Sequence, residues 1–269
     1  MAFTSSLRPN EMIINDETPE SVYDTEVEGC GRGLMLEMRG PNDYEYGEYA
    51  APFPPELYID ESEWEPRVKE MEEQKTRSSD LTRQAGLRCK NQASTNYCWI
   101  NSPVYIMEVC QVVSGQPVTI LSPASGGARI KNFRNVGGWG REAVQWIHEN
   151  GINTVQEWPA NAIDRRYLTN ANIAAAKTRR IVEFIELRPR DIKQLMSLLL
   201  RRIPVSCGFN WWRHQVSLID PMFLDGRPAA RQRNSWDMSW GDEGYGVLQG
   251  SKMLPDDAVA CVSVSSFLK

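Results

Sequence analysis

The sequence predicts an α+β fold in two parts, with helices gathered in the first half and strands in the second. Amphipathic helix patterns fall at 98–113, 139–150 and 190–202. Strand-like runs follow at 203–209, 214–220, 244–250 and 258–264, with no βαβ alternation. With 269 residues, 41% hydrophobic and 24% charged, the chain can bury one large core or two smaller ones.

Within the first helix, Ile100, Val104, Met107 and Val109 are expected to be buried. The second, WGREAVQWIHEN, ends at Gly151, a suitable C-cap. The third is RDIKQLMSLLLRR. Upstream, residues 61–76 read as a further helix. Ser62 and Glu65 fit a capping box there, and Trp64, Val68 and Met71 share one face. Residues 1–55 lack sustained periodicity and read as an extended or partly disordered arm. The composition changes near residue 78, which divides the chain into an acidic arm, 1–77, and a body, 78–269.

Charge follows the same division. Residues 1–77 carry 19 acidic and 7 basic side chains, a balance of −12, whereas the remainder carries 16 and 23, a balance of +7. An acidic arm on a basic body can fold back onto it, dock on an assembly partner, or simply form a solvated acidic tail. The body is only mildly basic and holds no Gly-rich phosphate loop, so nucleic-acid binding is not expected. No run of 18 apolar residues and no signal-like N-terminus occur, so the expectation is an intracellular, cytoplasmic or virion-associated protein without a membrane span. The six cysteines form no CxxC pair and have no zinc-ligand spacing; neither a structural metal nor a cofactor is expected.

Cys98 stands where a helix begins, and a helix N-terminus favours a thiolate. Gln92, six positions earlier, can donate an amide hydrogen bond to an oxyanion beside the Cys98 N–H. Only two histidines are available as a base, His148 and His214. His148 lies inside a helix and reads as a surface or cap-proximal residue. His214 opens an apolar strand and is followed by RNSWDMSWGDEGYGVL.

These segments resemble the papain-like cysteine peptidase family. Lys90, Asn91, Gln92, Cys98 and Trp99 match its active-site segment in register. Asn234, Ser235, Trp236, Trp240, Gly241, Gly244 and Tyr245 match its Asn-Ser-Trp segment in order. The resemblance implies a papain-like fold, with a helical subdomain and an antiparallel, barrel-like subdomain. It also implies hydrolysis of peptide bonds through a thiol acyl-enzyme. Cys98, His214 and Asn234 would be catalytic, with Gln92 and Cys98 holding the oxyanion. Trp99 would support the site and Trp236 would shield the His214–Asn234 contact. Gly137 and Gly138 would form the bare edge along which a protein or peptide substrate pairs, and Trp240 would line the substrate site.

Several features depart from the family. Thr95 and, approximately, Asn135 occupy the places of its commonest disulfide. Cys98 and His214 are 116 positions apart, because only NWWR (210–213) separates the strand at 203–209 from the histidine. That shortening is expected to open one cleft wall or to leave Trp211 and Trp212 to form it. Gln215 stands where a small specificity-pocket residue is usual, which puts a preference for bulky apolar side chains in doubt. The arm lacks the usual inhibitory prosegment pattern, so it reads either as a prosegment or as a docking arm. A structural component of a larger assembly, such as a virion, and acyl transfer to an amine are the alternatives to peptide hydrolysis.

Overall fold

A computed structural model describes residues 2–23, 30–39 and 53–266. A short strand β1 (Met12–Ile14) and one helical turn α1 (Glu20–Tyr23) are followed, after residue 53, by α2 (Glu61–Glu73) and α3 (Ser78–Gln84). Then come α4 (Cys98–Val113), α5 (Pro123–Ile130), α6 (Gly140–Asn150) and α7 (Asn170–Ala176). The last part holds β2 (Ile181–Glu186), α8 (Ile192–Leu199), β3 (Val205–Phe209), β4 (His214–Leu224), β5 (Arg227–Arg233), β6 (Tyr245–Gln249) and β7 (Asp257–Val264).

The strands make one seven-stranded sheet, ordered β1-β6-β5-β4-β3-β7-β2. Its pairs are antiparallel except β1 with β6, where Met12 faces Gly246 in parallel register. The sheet keeps two ends, β1 and β2, so it is open where the resemblance implied a barrel-like layer. Helix α4 packs against β3, β4 and β7 on one side and against α5 and α6 on the other. All of its residues from Cys98 to Gln111 are buried. That burial explains why the apolar pattern of this segment runs almost without interruption.

The expected helices and strands are present: α4 keeps its expected bounds, α2, α6, α8, β3 and β6 are shorter at their ends, and β4 and β7 run longer. Helix α2 buries Trp64, Val68 and Met71 as predicted. Its N-cap is Asp60, whose carboxylate accepts from the Ser62 N–H at 2.9 Å. The Ser62–Glu65 capping box therefore does not form; the residue two positions earlier satisfies a free amide of the first turn. Gly151 caps α6 with φ +72°.

The N-terminal residues are part of the core. Ile14, Tyr23, Phe53, Ile59, Trp64, Val68 and Met71 lie in the main apolar cluster beside Val205, Phe209, Val216 and Leu248. A buried ion network ties them down as well. Arg231 of β5 pairs with Glu11 and, at 3.1 Å, with Asp220, and all three side chains are fully buried. The same guanidinium donates to the Ser6 carbonyl at 3.0 Å and to Ser79 Oγ at 3.3 Å. The described parts of the acidic arm thus fold back on the body, as the charge division suggested. Among the described residues no helix is long and apolar enough to cross a membrane, and no group of His, Cys, Asp or Glu is placed to hold a metal ion.

Candidate active site

Cys98 is the first residue of α4 and is completely buried. His214 is the first residue of β4, paired with Phe209 across a four-residue turn. Asn234 follows the last residue of β5. The His214 Nε2 lies 2.8 Å from Asn234 Oδ1. That oxygen also accepts from the Ser235 N–H at 2.7 Å, so Nε2 carries the proton and donates. Nδ1 is thereby left as the basic nitrogen, and it has no hydrogen-bond partner among the described residues. Trp236 stacks on the imidazole with ring centroids 4.2 Å apart and closes the His214–Asn234 contact off from water.

Gln92 is fully buried. Its Oε1 accepts from Ser235 Oγ at 2.5 Å, which orients the amide, and its Nε2 donates to the Thr95 carbonyl at 2.8 Å. Sequence reasoning matched Ser235 to the motif but gave it no role; the structure makes it the positioner of Gln92. Trp99 is fully buried, donates from Nε1 to the Val136 carbonyl at 3.3 Å and supports Gly138 from beneath. His148 is away from this constellation: its Nδ1 lies 3.0 Å from the Ile181 carbonyl.

The site is covered by the chain's own residues 30–39. The Gly33 N–H donates to Cys98 Sγ at 3.3 Å. The Gly31 carbonyl accepts from Gln92 Nε2 at 2.7 Å, and the Gly31 N–H donates to the Ala93 carbonyl at 3.0 Å. Leu34 pairs with Gly138 in a parallel bridge. In that bridge the Gly138 N–H donates to the Gly33 carbonyl at 2.9 Å, and the Met35 N–H donates to the Gly138 carbonyl at 3.0 Å. The edge predicted to receive a peptide strand thus holds one already. Farther along, Glu37 exchanges two hydrogen bonds with the Asn210 side-chain amide, at 3.0 and 2.7 Å, and pairs with Arg141.

Glycine is required in this segment by close approach. A Cβ on Gly33 would sit 1.9 Å from the Asn96 carbonyl oxygen, and one on Gly31 would sit 2.3 Å from that of Thr95. Gly137 meets the Gly33 carbonyl at 2.5 Å in the same sense. The pattern Gly31-Arg32-Gly33 was the available signal, but it is readable only against the backbone it touches.

Covering the site changes its electrostatics. Burial pushes the Cys98 thiol up to about 11, although the N–H groups of Gly33, Gln215, Trp99 and Cys98 favour the thiolate. Burial holds the His214 imidazole down at about 3; its bond to Asn234 works in the opposite direction, and the nearby Arg32 adds to the lowering. Thiol and imidazole are both neutral here. The expected thiolate at the helix start is overridden because desolvation outweighs the dipole of α4.

The sequence departures also find physical answers. Trp212 is buried, stacked on Trp211 at 5.3 Å and edge-on to His214 at 5.2 Å. It also meets Trp236 at 5.6 Å and Trp240 at 6.1 Å, so the short 210–213 turn supplies an aromatic wall. Gln215 is buried and donates to Ser206 Oγ at 2.8 Å, placing its headgroup among core serines. All six cysteines are free. Where the family's disulfide is missing, Asn135 takes a hydrogen bond from the Asn96 N–H at 2.6 Å and donates to the Ser94 carbonyl at 3.2 Å.

Comparison with known proteins agrees with this fold. No family model matches the chain. It is 25% identical over 187 residues to cysteine proteinase 2 of Zea mays, covering 61% of this chain and 52% of that protein. It is 27% identical over 183 residues to cathepsin S of Mus musculus, covering 58% and 53%. The chain therefore spans about half the length of these relatives. Among solved structures, procathepsin L 3 of Tenebrio molitor larval midgut superposes with a TM-score of 0.60 at 16% identity, over 89% of this chain and 79% of that one. Xylellain, a cysteine protease from Xylella fastidiosa, gives 0.58 at 16% identity, over 98% and 100%.

Proposed function

We propose that this chain, which has a papain-like fold and resembles the papain-like cysteine peptidases, is itself a peptidase held latent by residues 30–39. The observation that carries the reading is the Gly31–Gly33 backbone, which engages Cys98 and Gln92 together. One peptide segment occupies the positions that a nucleophile and an oxyanion donor would offer to a substrate.

Once that segment leaves, water re-enters and the charged forms of Cys98 and His214 become accessible. The thiol proton passes to His214 Nδ1, and the sulfur attacks the scissile carbonyl. The Gln92 amide and the Cys98 N–H hold the oxyanion. The C–N bond breaks as His214 gives its proton to the leaving amine. Water, deprotonated by the same nitrogen, then cleaves the thioester. Asn234 keeps Nε2 protonated and the ring in place throughout.

Latency resides in the middle of the arm. Residues before and after the covering segment are built into the core, so they stay with the body when the segment is displaced or cut. The described arm lies on its own body, which favours an intramolecular role over docking to an assembly partner. The relatives of this fold include structures described as proforms, such as proCathepsin B S9 of Trypanosoma congolense.

The test is labelling with an epoxide thiol probe before and after limited proteolysis, read by peptide mass spectrometry and by turnover of a broad peptide library. Adduct on Cys98 and turnover are both expected to rise after cleavage near the segment. No adduct and no turnover under either condition would overturn the peptidase reading. Product analysis with an added amine separates hydrolysis from acyl transfer.

A further inference from the structure

Residues 30–39 carry one acidic side chain, Glu37, between two arginines, Arg32 and Arg39. The body meets Glu37 with two groups. Arg141, near the start of α6, pairs with its carboxylate through Nη1. Asn210, in the turn between β3 and β4, takes its backbone. The Asn210 Oδ1 accepts from the Glu37 N–H at 3.0 Å, and Nδ2 donates to the Glu37 carbonyl at 2.7 Å. Asn210 is itself fixed, because its N–H donates to Asp256 Oδ2 at 2.8 Å. One side-chain amide thus does what a neighbouring strand would do for a bound peptide. Turned over, the same amide serves a chain running in either direction.

The position of His214 decides which half of a substrate crosses these groups. Trp236 stacks on His214, and its Nε1 donates to the Gly31 carbonyl at 3.4 Å, so residue 31 marks the histidine side of the thiol. Leu34 pairs with Gly138 on the other side, and Glu37 lies farther along, four residues from Gly33. A leaving amine takes its proton from His214, so the C-terminal half of a substrate lies toward Trp236. The N-terminal half passes Gly138 and reaches Asn210 and Arg141.

Charges alternate around Glu37. Arg141 also pairs with Asp257 at 3.1 Å, and Glu186 lies near Asp257. From the segment, Arg39 pairs with Glu37 at 2.9 Å and approaches Glu186 at 3.6 Å. The Glu37 side chain is only 4% exposed, so its carboxylate is received in a closed, matched setting. A guanidinium in such a setting discriminates a carboxylate from a neutral amide of the same shape.

We propose that Arg141 and Asn210 form a subsite on the N-terminal side of the scissile bond that selects an acidic substrate side chain. The proposal rests on the peptidase reading and adds a substrate class to it. That class is peptides with Glu or Asp about four residues upstream of the cut, the reach from Gly33 to Glu37. Arg141 recognises the carboxylate, and Asn210 holds the main chain whatever side chain it bears.

The experiment follows iodoacetamide alkylation of Cys98 in the full chain opened by limited proteolysis, with two short peptides as competitors. They differ only in Glu or Gln at the upstream position. Both keep an arginine two residues farther upstream, in the place of Arg39, so that the Glu186 side of the cluster is matched equally. Hydrolysis of fluorogenic forms of the same pair is measured in parallel. The Glu peptide is expected to protect Cys98, and to be cut, at least tenfold better than the Gln peptide. In Arg141→Gln that ratio should fall toward one. In Asn210→Ala both peptides should weaken together and the ratio should persist. A ratio cancels the amount of folded protein, so a loss of stability does not imitate either result. Selective protection without turnover would overturn the peptidase reading and keep the subsite. Equal protection by the two peptides, protection by neither, or a ratio unchanged in Arg141→Gln would overturn the subsite whether or not peptides are cut.

Discussion

The backbone N–H of Gly33 points at the sulfur of Cys98 from 3.3 Å, so the helix-start thiol already has a donor from its own chain. That contact exists because residue 33 has no side chain. A Cβ there would lie 1.9 Å from a carbonyl oxygen of the Asn96 backbone, which cannot move aside like a flexible side chain.

Gly33→Val is therefore expected to dislodge the covering segment without altering any group of the site. Overpacking of this kind costs about 1–3 kcal/mol, or roughly five- to 150-fold in occupancy. The rate of Cys98 alkylation by iodoacetamide should rise by a comparable factor. An unchanged rate would show that the segment does not limit access.

In a chain activated in this way, Cys98→Ala should remove turnover altogether. Asn234→Ala should lower kcat/KM while leaving the thiol alkylable, because the imidazole loses its orienting partner. The loss should stay within the ~10²–10⁴-fold range of general acid–base catalysis. Progress curves on a fluorogenic peptide library distinguish the two variants.

The pH dependence of latency follows from two carboxyls facing Arg141 and from the covered His214. Glu37 sits at about 2: burial opposes its ionisation, but hydrogen bonds from Arg39 and the charge of Arg141 outweigh it. A lowered carboxyl pKa contributes docking that is complete above the free value of 4.5 and lost as pH falls toward 2. Asp257 is pushed up to about 6, mainly by burial and also by the nearby Glu186 and Glu37, with Arg141 opposing. It becomes neutral on mild acidification and stops competing for Arg141. His214 works the other way: held at about 3 under the segment and free to take up a proton near its ordinary 6.5 once water re-enters, it favours release as pH falls through that window. Its shift is larger than that of Asp257, so access to Cys98 should rise from pH 7 to pH 5 and further toward pH 3. Alkylation of Cys98 across a pH-jump series, each sample returned to a common assay pH, measures this. A rate unchanged from pH 7 to pH 5 would contradict it.

The Arg231–Glu11–Asp220 network makes the N-terminus structural. Glu11→Ala leaves a buried guanidinium with one carboxylate fewer, and breaking such a pair typically costs about 3–5 kcal/mol. Urea melts should show a lower midpoint at an unchanged slope, the product of the two corresponding to a stability loss of that size.

Much of the body was legible because its periodicity matched its burial. Helix α4 begins at Cys98 and β4 at His214, as the patterns predict, and the Gln92, Cys98, His214 and Asn234 series could be read from motif order. Strand β5, RPAARQR, was not legible. Its buried Arg231 and Arg233 invert the usual alternation, since their charges are met by ion pairing and ring stacking and not by water. Strand β1 has three residues and borrows its stability from β6, which no local pattern reveals. The role of Gly31 and Gly33 depended on distant backbone oxygens. Asp60 displaced Ser62 as the cap because either side chain can serve, and the Trp64 Nε1 hydrogen bond to the Ile59 carbonyl at 3.0 Å helps to set where α2 begins.

Because residues 2–23 and 53–77 belong to the core on either side of residues 30–39, the blocking peptide is tethered at both ends. Its local concentration at Cys98 is set by that tethering and not by the bulk protein concentration. Dilution consequently does not uncover Cys98. Exposure of the thiol should be first order and independent of protein concentration until one tether is severed. After that cut, re-blocking weakens to the affinity of a segment held by a single end.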